Sequence, residues 1–524
     1  MTHQMPSLSR SATPIKPIEP IEPIEPIEPV NAVSHRAVTA VVCLALAAVV
    51  SAMASLNVAL PDVARSTSAS QTQLAWVIDA YSLVFAALLL PAGAIGDRYG
   101  RRRALFIGLA IFGTGSAVAM TASSAGELIG LRAMLGLGAA LVMPATLSTI
   151  TSTFPPQERT RAVAVWAGVA GGSAVLGLMT SGLLLQVWSW QSVFGLNVVL
   201  AGLAIAGTAR FVPESADENA PGLDLGGAVL AVLGLFALVY SVIEAPEAGW
   251  LAARTLIGLG LGVVVLISFV GWELRQAHPL LDPRVFGNRQ LTAGSVSILI
   301  QFFAFFGFIF GILQYLQGVR GDSPLMAAVS MLPMAAALMP SARLSPVLVT
   351  RFGTRNVCVS GLILIAIALT VLAQLQADSS YWLVLAGLIP LGAGMGAAMT
   401  PATSAITEAL PSSQQGVASA LNDLSREVGG ALGIAVIGSL LTAGYRSHLE
   451  LPTAPAEVVE HARDSFAVAS QLGGPVAAQA QAAFVAGLHS ALLGAAAAAL
   501  VAAIAVAYLL RGAGEDGRTF GTPR

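Results

Sequence analysis

Four ionisable side chains stand where an apolar sequence gives them little water. Asp79, Asp423 and Glu427 are acids and Arg132 is a base, and each lies within a long run of mostly Ala, Val, Leu, Ile and Gly. Charge in hydrocarbon is costly, so such residues are candidates for function. Asp423 and Glu427 are four residues apart and on a helix share one face. Two carboxyls side by side in low dielectric should not both ionise, and one should hold its proton. A carboxyl poised in this way can take a proton from one side of a membrane and release it to the other. When ionised it can hold an organic cation. Proton and cation then compete for one group, which couples their movements. Asp423 has a second prospect: Arg426 is three residues on, and the two can close a structural ion pair.

Arg132 cannot shed its proton, so it must find an acid, a carbonyl or water, or else snorkel to the nearer interface. Arg343 stands eight residues before Arg351. That places it about 12 Å deep on a helix rising 1.5 Å per residue, open to snorkelling or to substrate contact. Phe302, Phe303, Phe305, Phe306, Phe308 and Phe310 offer aromatic faces to flat or cationic compounds. They surround one helix, so most must meet lipid or neighbouring helices.

Other chemistries find little support. No Gly-x-x-x-x-Gly-Lys-Ser/Thr loop occurs, so ATP is not expected as an energy source. The six histidines lack metal-ligand spacing, with His448 and His461 expected on an outer loop. Cys43 and Cys358 lie in apolar runs and read as core filling. The net charge of −2 points to no nucleic-acid partner. No enzyme activity, cofactor or metal is expected; the proton gradient is the expected source of power.

The elements that must position these groups follow from composition. Of 524 residues, 56% are hydrophobic and 10% charged, against about 25% charged in a soluble domain. Apolar blocks cover 37–61, 75–95, 104–122, 126–148, 162–186, 191–212, 225–243, 253–273, 291–315, 324–349, 356–375, 381–407, 416–443 and 488–510. Each is near the roughly 20 residues that cross a bilayer as a helix. Hydrocarbon requires the backbone to be satisfied within the segment, and the alternating ten-residue pattern of a barrel is absent. An all-α membrane protein of fourteen helices is therefore expected. Residues 14–30 place proline at every third position, so 1–36 reads as a disordered, extended cytoplasmic tail.

Charge orients the chain. With the N-terminus in the cytoplasm, eighteen Lys/Arg fall on that side and five outside. That bias fits a multi-pass protein of the cytoplasmic (inner) membrane with an even helix count and both termini in the cytoplasm. A repeat sets the architecture. Arg98-Tyr99-Gly100-Arg101-Arg102 follows block 2, and Arg351-Phe352-Gly353-Thr354-Arg355 follows block 10. Two six-helix halves separated by two inserted helices give that offset, with a substrate site at their interface. The expected divisions are 37–212, 213–290, 291–510 with an outer loop at 444–487, and a cytoplasmic tail at 511–524. A monomer in membrane lipid is expected.

Gly93-Ala94-Ile95-Gly96-Asp97-Arg98-Tyr99-Gly100-Arg101-Arg102-Arg103 resembles the cytoplasmic loop signature of the major facilitator superfamily. Fourteen blocks, with Asn57-Val58-Ala59-Leu60-Pro61 closing the first, resemble its fourteen-helix drug:proton antiporter branch. Trp76-Val77-Ile78-Asp79-Ala80-Tyr81-Ser82-Leu83 and Ser189-Trp190 resemble the quaternary-ammonium and multidrug exporters of that branch. The resemblance spans residues 37–510. It implies the major facilitator fold, with acids at Asp79, Asp423 and Glu427. It implies proton coupling by Asp423, Glu427 and Arg132, and substrate binding by Asp79, Trp76, Tyr81, Trp166 and Glu427. The loop residues Gly93, Asp97, Arg98, Gly100, Arg101 and Arg102 would form a conformational latch between halves. Chemistry alone supports a tight turn at Gly96 and Gly100 and an acid near a helix end. The alternative is a topology anchor.

The pattern departs in three places. Related exporters carry acids where this chain has Ala52 and Leu338. In block 5, Ser173-Ala174-Val175-Leu176-Gly177-Leu178-Met179-Thr180-Ser181-Gly182 lacks the proline of the antiport signature, with Leu178 and Ser181 at altered positions. Dications, which want two carboxylates, are less expected than monocations or neutral compounds. The resulting expectation is proton-driven efflux of small hydrophobic, cationic drugs or biocides. A dedicated metabolite exporter, an uncoupled facilitator and a membrane sensor that moves no substrate are the alternatives.

Overall fold

The computed structural model describes residues 34–216, 222–410, 415–452 and 454–511. The proline-rich repeat and nearly all of the expected C-terminal tail lie outside the described residues. Among the described residues fourteen helical spans are long and apolar enough to cross a membrane. They are α1 His35–Thr67, α2 Gln71–Tyr99, α3 Arg101–Ala119, α4 Ala125–Thr153, α5 Pro156–Leu184, α6 Ser192–Phe211 and α7 Leu225–Ala248. There follow α8 Ala253–Glu273, α9 Arg289–Gly318, α10 Pro324–Phe352, α11 Thr354–Leu372, α12 Tyr381–Glu408, α13 Gln415–His448 and α14 Gly474–Leu509.

Polar caps fix where several of these start. Ser34 Oγ accepts from the Ala37 N–H, and Ser70 and Gln73 form a reciprocal capping box at α2. Asp224 and Asn288 cap α7 and α9. Two elements depart from the sequence blocks. α10 breaks into Pro324–Val329 and Leu332–Phe352, with Pro333 in the first turn of the second piece. The expected outer loop 444–487 is much shorter: α13 runs to His448 and α14 begins at Gly474. Gln479 and Gln481 lowered the hydropathy of that stretch, but its alanines favour helix. Two short helices, Ala456–Asp464 and Phe466–Ala469, lie between.

The packing repeats with an offset of eight helices. α1 packs on α4, α5 and α6, and α3 on α4 and α6, while α2 packs on α4. In the same way α9 packs on α12, α13 and α14, and α11 on α12 and α14, while α10 packs on α12. These are two six-helix halves. α7 and α8 pair with each other, and α7 also packs on α2 and α13.

The repeated loops make matching contacts. Gly100 and Gly353 both have positive φ, +117° and +82°, which only glycine takes without strain. Arg98 and Arg351 each lie against the ring that follows them. Arg102 Nη2 donates to the Ala209 carbonyl near the end of α6 at 2.7 Å. Arg355 Nε donates to the Ala507 carbonyl near the end of α14 at 2.9 Å. In each half an arginine therefore satisfies an orphan carbonyl at a helix C-terminus.

At the opposite end of the bundle the halves are tied together. Gln71 Nε2 donates to Gln314 Oε1 at 2.6 Å, and Gln317 Nε2 donates to the Val58 carbonyl at 2.9 Å. The first piece of α10 packs there on α5.

Candidate functional site

A cavity of about 200 Å³ lies between the halves, with walls from α1, α2, α4, α5, α9, α10, α12 and α13. Its lining is soft and apolar. Seven of the chain's thirteen methionines line it: Met53, Met143, Met179, Met331, Met334, Met395 and Met399. Phe302, Phe305 and Phe306 add a ring cluster with centroids 5.1–6.4 Å apart. Phe308 and Phe310 are instead fully buried in packing. Among the described residues the only charged side chains in the lining are Arg426 and Glu427.

Close helix packing brings α9 and α13 together at this wall. A Cβ at Gly433 would stand 2.8 Å from Phe303 Cα, so no larger residue fits that crossing. Glu427 is 7% exposed, and its Oε2 has no hydrogen-bond partner among the described residues. Arg426 lies with its guanidinium carbon 4.7 Å from the Phe302 ring centroid. Its Nη1 is 3.8 Å from Asp423 Oδ1, a loose ion pair. Asp423 shares the helix with Glu427 but is not part of the lining.

The other expected site residues occupy different places. Asp79 is fully buried in α2, and neither carboxyl oxygen has a partner among the described residues. Trp76 Nε1 donates to Glu244 Oε1 of α7 at 3.0 Å, and its ring packs near Phe236 and Tyr240. Tyr81 donates its hydroxyl to the Val49 carbonyl at 3.1 Å. Trp166 Nε1 donates to Thr146 Oγ1 at 3.0 Å. Of the five residues expected at substrate, only Glu427 reaches the cavity lining. Each of the two indoles and the phenol turns its polar atom to a neighbouring helix, as buried aromatics do.

Arg132 is fully buried and does not snorkel. Its Nε donates to the Val77 carbonyl at 2.9 Å and Nη1 to the Ala52 carbonyl at 3.5 Å. Its guanidinium sits 4.4 Å from the Tyr81 ring centroid. The position where related exporters place an acid thus offers a backbone oxygen to this arginine. Leu338 and Leu178 both line the cavity, while Ser181 is buried. Arg343 is exposed on α10.

In the loop after α2, Arg101 holds Asp97 at 2.8 Å. Gly93 lies beside Pro144 of α4. The segment after α6 docks here: Glu214 Oε1 accepts from the Arg102 N–H at 3.3 Å, and the Arg101 N–H donates to the Ser215 carbonyl at 2.9 Å. Sequence reasoning missed Glu214, the methionine wall, and Gln71, Gln314 and Gln317. For the three glutamines the only sequence signal was a polar side chain inside or beside an apolar block.

Comparison with known proteins follows the same lines. The family model described as Major Facilitator Superfamily matches residues 42–434. Methyl viologen resistance protein SmvA of Salmonella typhimurium is 36% identical over 422 residues, covering 80% of this chain and 85% of that one. Multidrug efflux pump LfrA of Mycolicibacterium smegmatis is 34% identical over 467 residues, covering 87% and 92%. Multidrug resistance protein Stp of Mycobacterium tuberculosis is 35% identical over 396 residues, covering 75% and 74%. Among solved structures, a bacterial homologue of the human lysosomal transporter Spinster, inward-facing and unoccupied, superposes with a TM-score of 0.63. It covers 91% of this chain and 97% of its own at 17% identity, a likeness of fold alone.

Proposed function

The chain belongs to the Major Facilitator Superfamily, and we propose that it exports small hydrophobic drugs, monocationic or neutral, across the cytoplasmic membrane in exchange for protons. The observation that carries this reading is the methionine- and phenylalanine-walled cavity, with Glu427 the one acid in its lining among the described residues. Methionines re-pack around different shapes, which suits a broad substrate range. The phenylalanines attract cationic aromatic compounds. Two relatives' names, multidrug resistance protein and multidrug efflux pump, point the same way, whereas methyl viologen, named for the third, is a dication and falls outside the monocation limit.

In this mechanism ionised Glu427 holds the cation. Arrival of a proton at the carboxyl removes that attraction and frees the drug, while departure of the proton restores it. Each half moves as a body, parting at the glutamine seam to open the cavity outward. The basic loops face the cytoplasm by the positive-inside rule, and both termini lie there. The loop after α2 acts as the latch, and the protein works as a monomer in lipid.

An uncoupled facilitator is the second reading, favoured by Leu338 and Leu178 in the cavity wall. Everted vesicles separate the two. Coupled export predicts uptake of a fluorescent monocation that rises with an imposed pH gradient and collapses with a protonophore. Glu427→Gln should cut gradient-driven uptake at least tenfold. Uptake that ignores both gradient and substitution leaves the facilitator.

A further inference from the structure

Arg426 and Glu427 are consecutive on α13 and both reach the same cavity, yet among the described residues no ion pair joins them. Opposite charges in an apolar wall lower their energy by closing on each other. Here the arginine lies over Phe302 instead, and its acid neighbour Asp423 is 3.8 Å away, beyond an ordinary charge-assisted hydrogen bond. The Arg426 side chain is 31% exposed, and Glu427 Oε2 is unpartnered. Both charges face the cavity with bonding capacity left over.

We infer that the cavity accepts zwitterionic aromatic amphiphiles, the carboxylate taken by Arg426 and the cationic group by Glu427. The inference deepens the export reading and rests on it. Successive side chains on a helix diverge by about 100°, so the two ligand charges belong on different edges of one flat frame. The frame itself lies against Phe302, Phe305 and Phe306. Guanidinium geometry matches a carboxylate through two parallel hydrogen bonds, which an ammonium at this position does not reproduce. A simple cation answers Glu427 alone; a zwitterion answers both charges. The competing role for Arg426 is that of a strut for Asp423, with no ligand contact.

Two dyes that differ at one group separate these roles. Rhodamine 123 is a cationic methyl ester, and rhodamine 110 carries the free carboxylate on the same xanthene. Full-length protein in proteoliposomes, under a pH gradient, should transport both. In Arg426→Gln the ratio of rhodamine 110 to rhodamine 123 transport should fall at least tenfold, with partial recovery in Arg426→Lys. A strut predicts equal loss for both dyes, and an unchanged ratio overturns the inference. Binding to the unmodified protein gives a second measure that needs no variant. Fluorescence quenching should show rhodamine 110 binding within about tenfold of rhodamine 123. Transport and binding of rhodamine 123 with rejection of rhodamine 110 sinks the zwitterion site and leaves drug export standing. Rejection of both dyes sinks the export reading itself.

Discussion

Replacing glutamines in the seam between halves should move the protein in opposite directions depending on how many are replaced. Gln71 and Gln314 are 1% and 2% exposed, and one amide hydrogen bond of 2.6 Å joins them. Gln71 Oε1 has no partner among the described residues. The closed seam thus gains one bond, about 1 kcal/mol net, and carries one orphan oxygen, at a cost of about 1–3 kcal/mol. When the seam opens, water satisfies every group. Gln71→Leu deletes the bond and moves the orphan to Gln314 Oε1, so it should favour the open seam by about 1 kcal/mol, roughly fivefold. Gln71→Leu with Gln314→Leu removes bond and orphan together and buries two apolar side chains. It should favour closure by about 1–2 kcal/mol, roughly five- to thirtyfold. Spin labels at exposed Ser68 and Asp378 report the opening as an electron–electron distance. The buried Cys43 and Cys358 are replaced by alanine in this background. The measurement uses conditions in which the parent shows both distances. If single and double variants shift the same way, the orphan oxygen has no part in the balance and the reasoning fails.

The repeated loops predict matched effects. Arg102→Gln and Arg355→Gln each remove one carbonyl cap at a helix end. Each should lower stability by about 1–2 kcal/mol and the pair should add, as read by thermal melting in detergent. At Gly177 a Cβ would stand 2.6 Å from the Ser51 carbonyl oxygen, so Gly177→Leu should drive α1 from α5. A loss of about 3 kcal/mol or more is expected, seen as poor yield of folded protein. Leu338→Glu places a second acid in the cavity wall, and the ratio of methyl viologen to monocation resistance should rise at least tenfold. An unchanged ratio there removes the argument that a single acid selects for single charge.

Sequence reading recovered what hydrocarbon makes conspicuous. Blocks of apolar residues marked the fourteen spans because the backbone in lipid has few options. The Arg-aromatic-Gly-x-Arg repeat marked the two halves because glycine at positive φ and an arginine on a helix end are local requirements. Glu427 was visible because charge in an apolar block is rare. The cavity was not visible. Its methionines and phenylalanines come from separate helices and look like any membrane core residue until packing turns them inward. Trp76, Tyr81 and Trp166 looked suited to substrate by type, yet each is occupied by a polar partner on another element. The start of α14 was missed because hydropathy, not helix propensity, drew that boundary.

The division of charge between halves limits what can be carried. In the N-terminal half Arg132 is held by two backbone carbonyls and the Tyr81 face, and Asp79 is sealed from the cavity. Neither is part of the cavity lining in this conformation. In the C-terminal half Asp423 lies beside Arg426, leaving Glu427 as the one acid in the wall among the described residues. A monocation at Glu427 leaves the site balanced. A second positive charge would have no acid in the wall and would lie in the field of Arg426. At about 7 Å and an effective dielectric of about 20, repulsion from Arg426 alone is about 2 kcal/mol, and Asp423 beside Arg426 offsets part of it. The same arginine that disfavours a second cation attracts a carboxylate. Under the proposed reading, weaker binding of dications and acceptance of zwitterions are two consequences of one side chain.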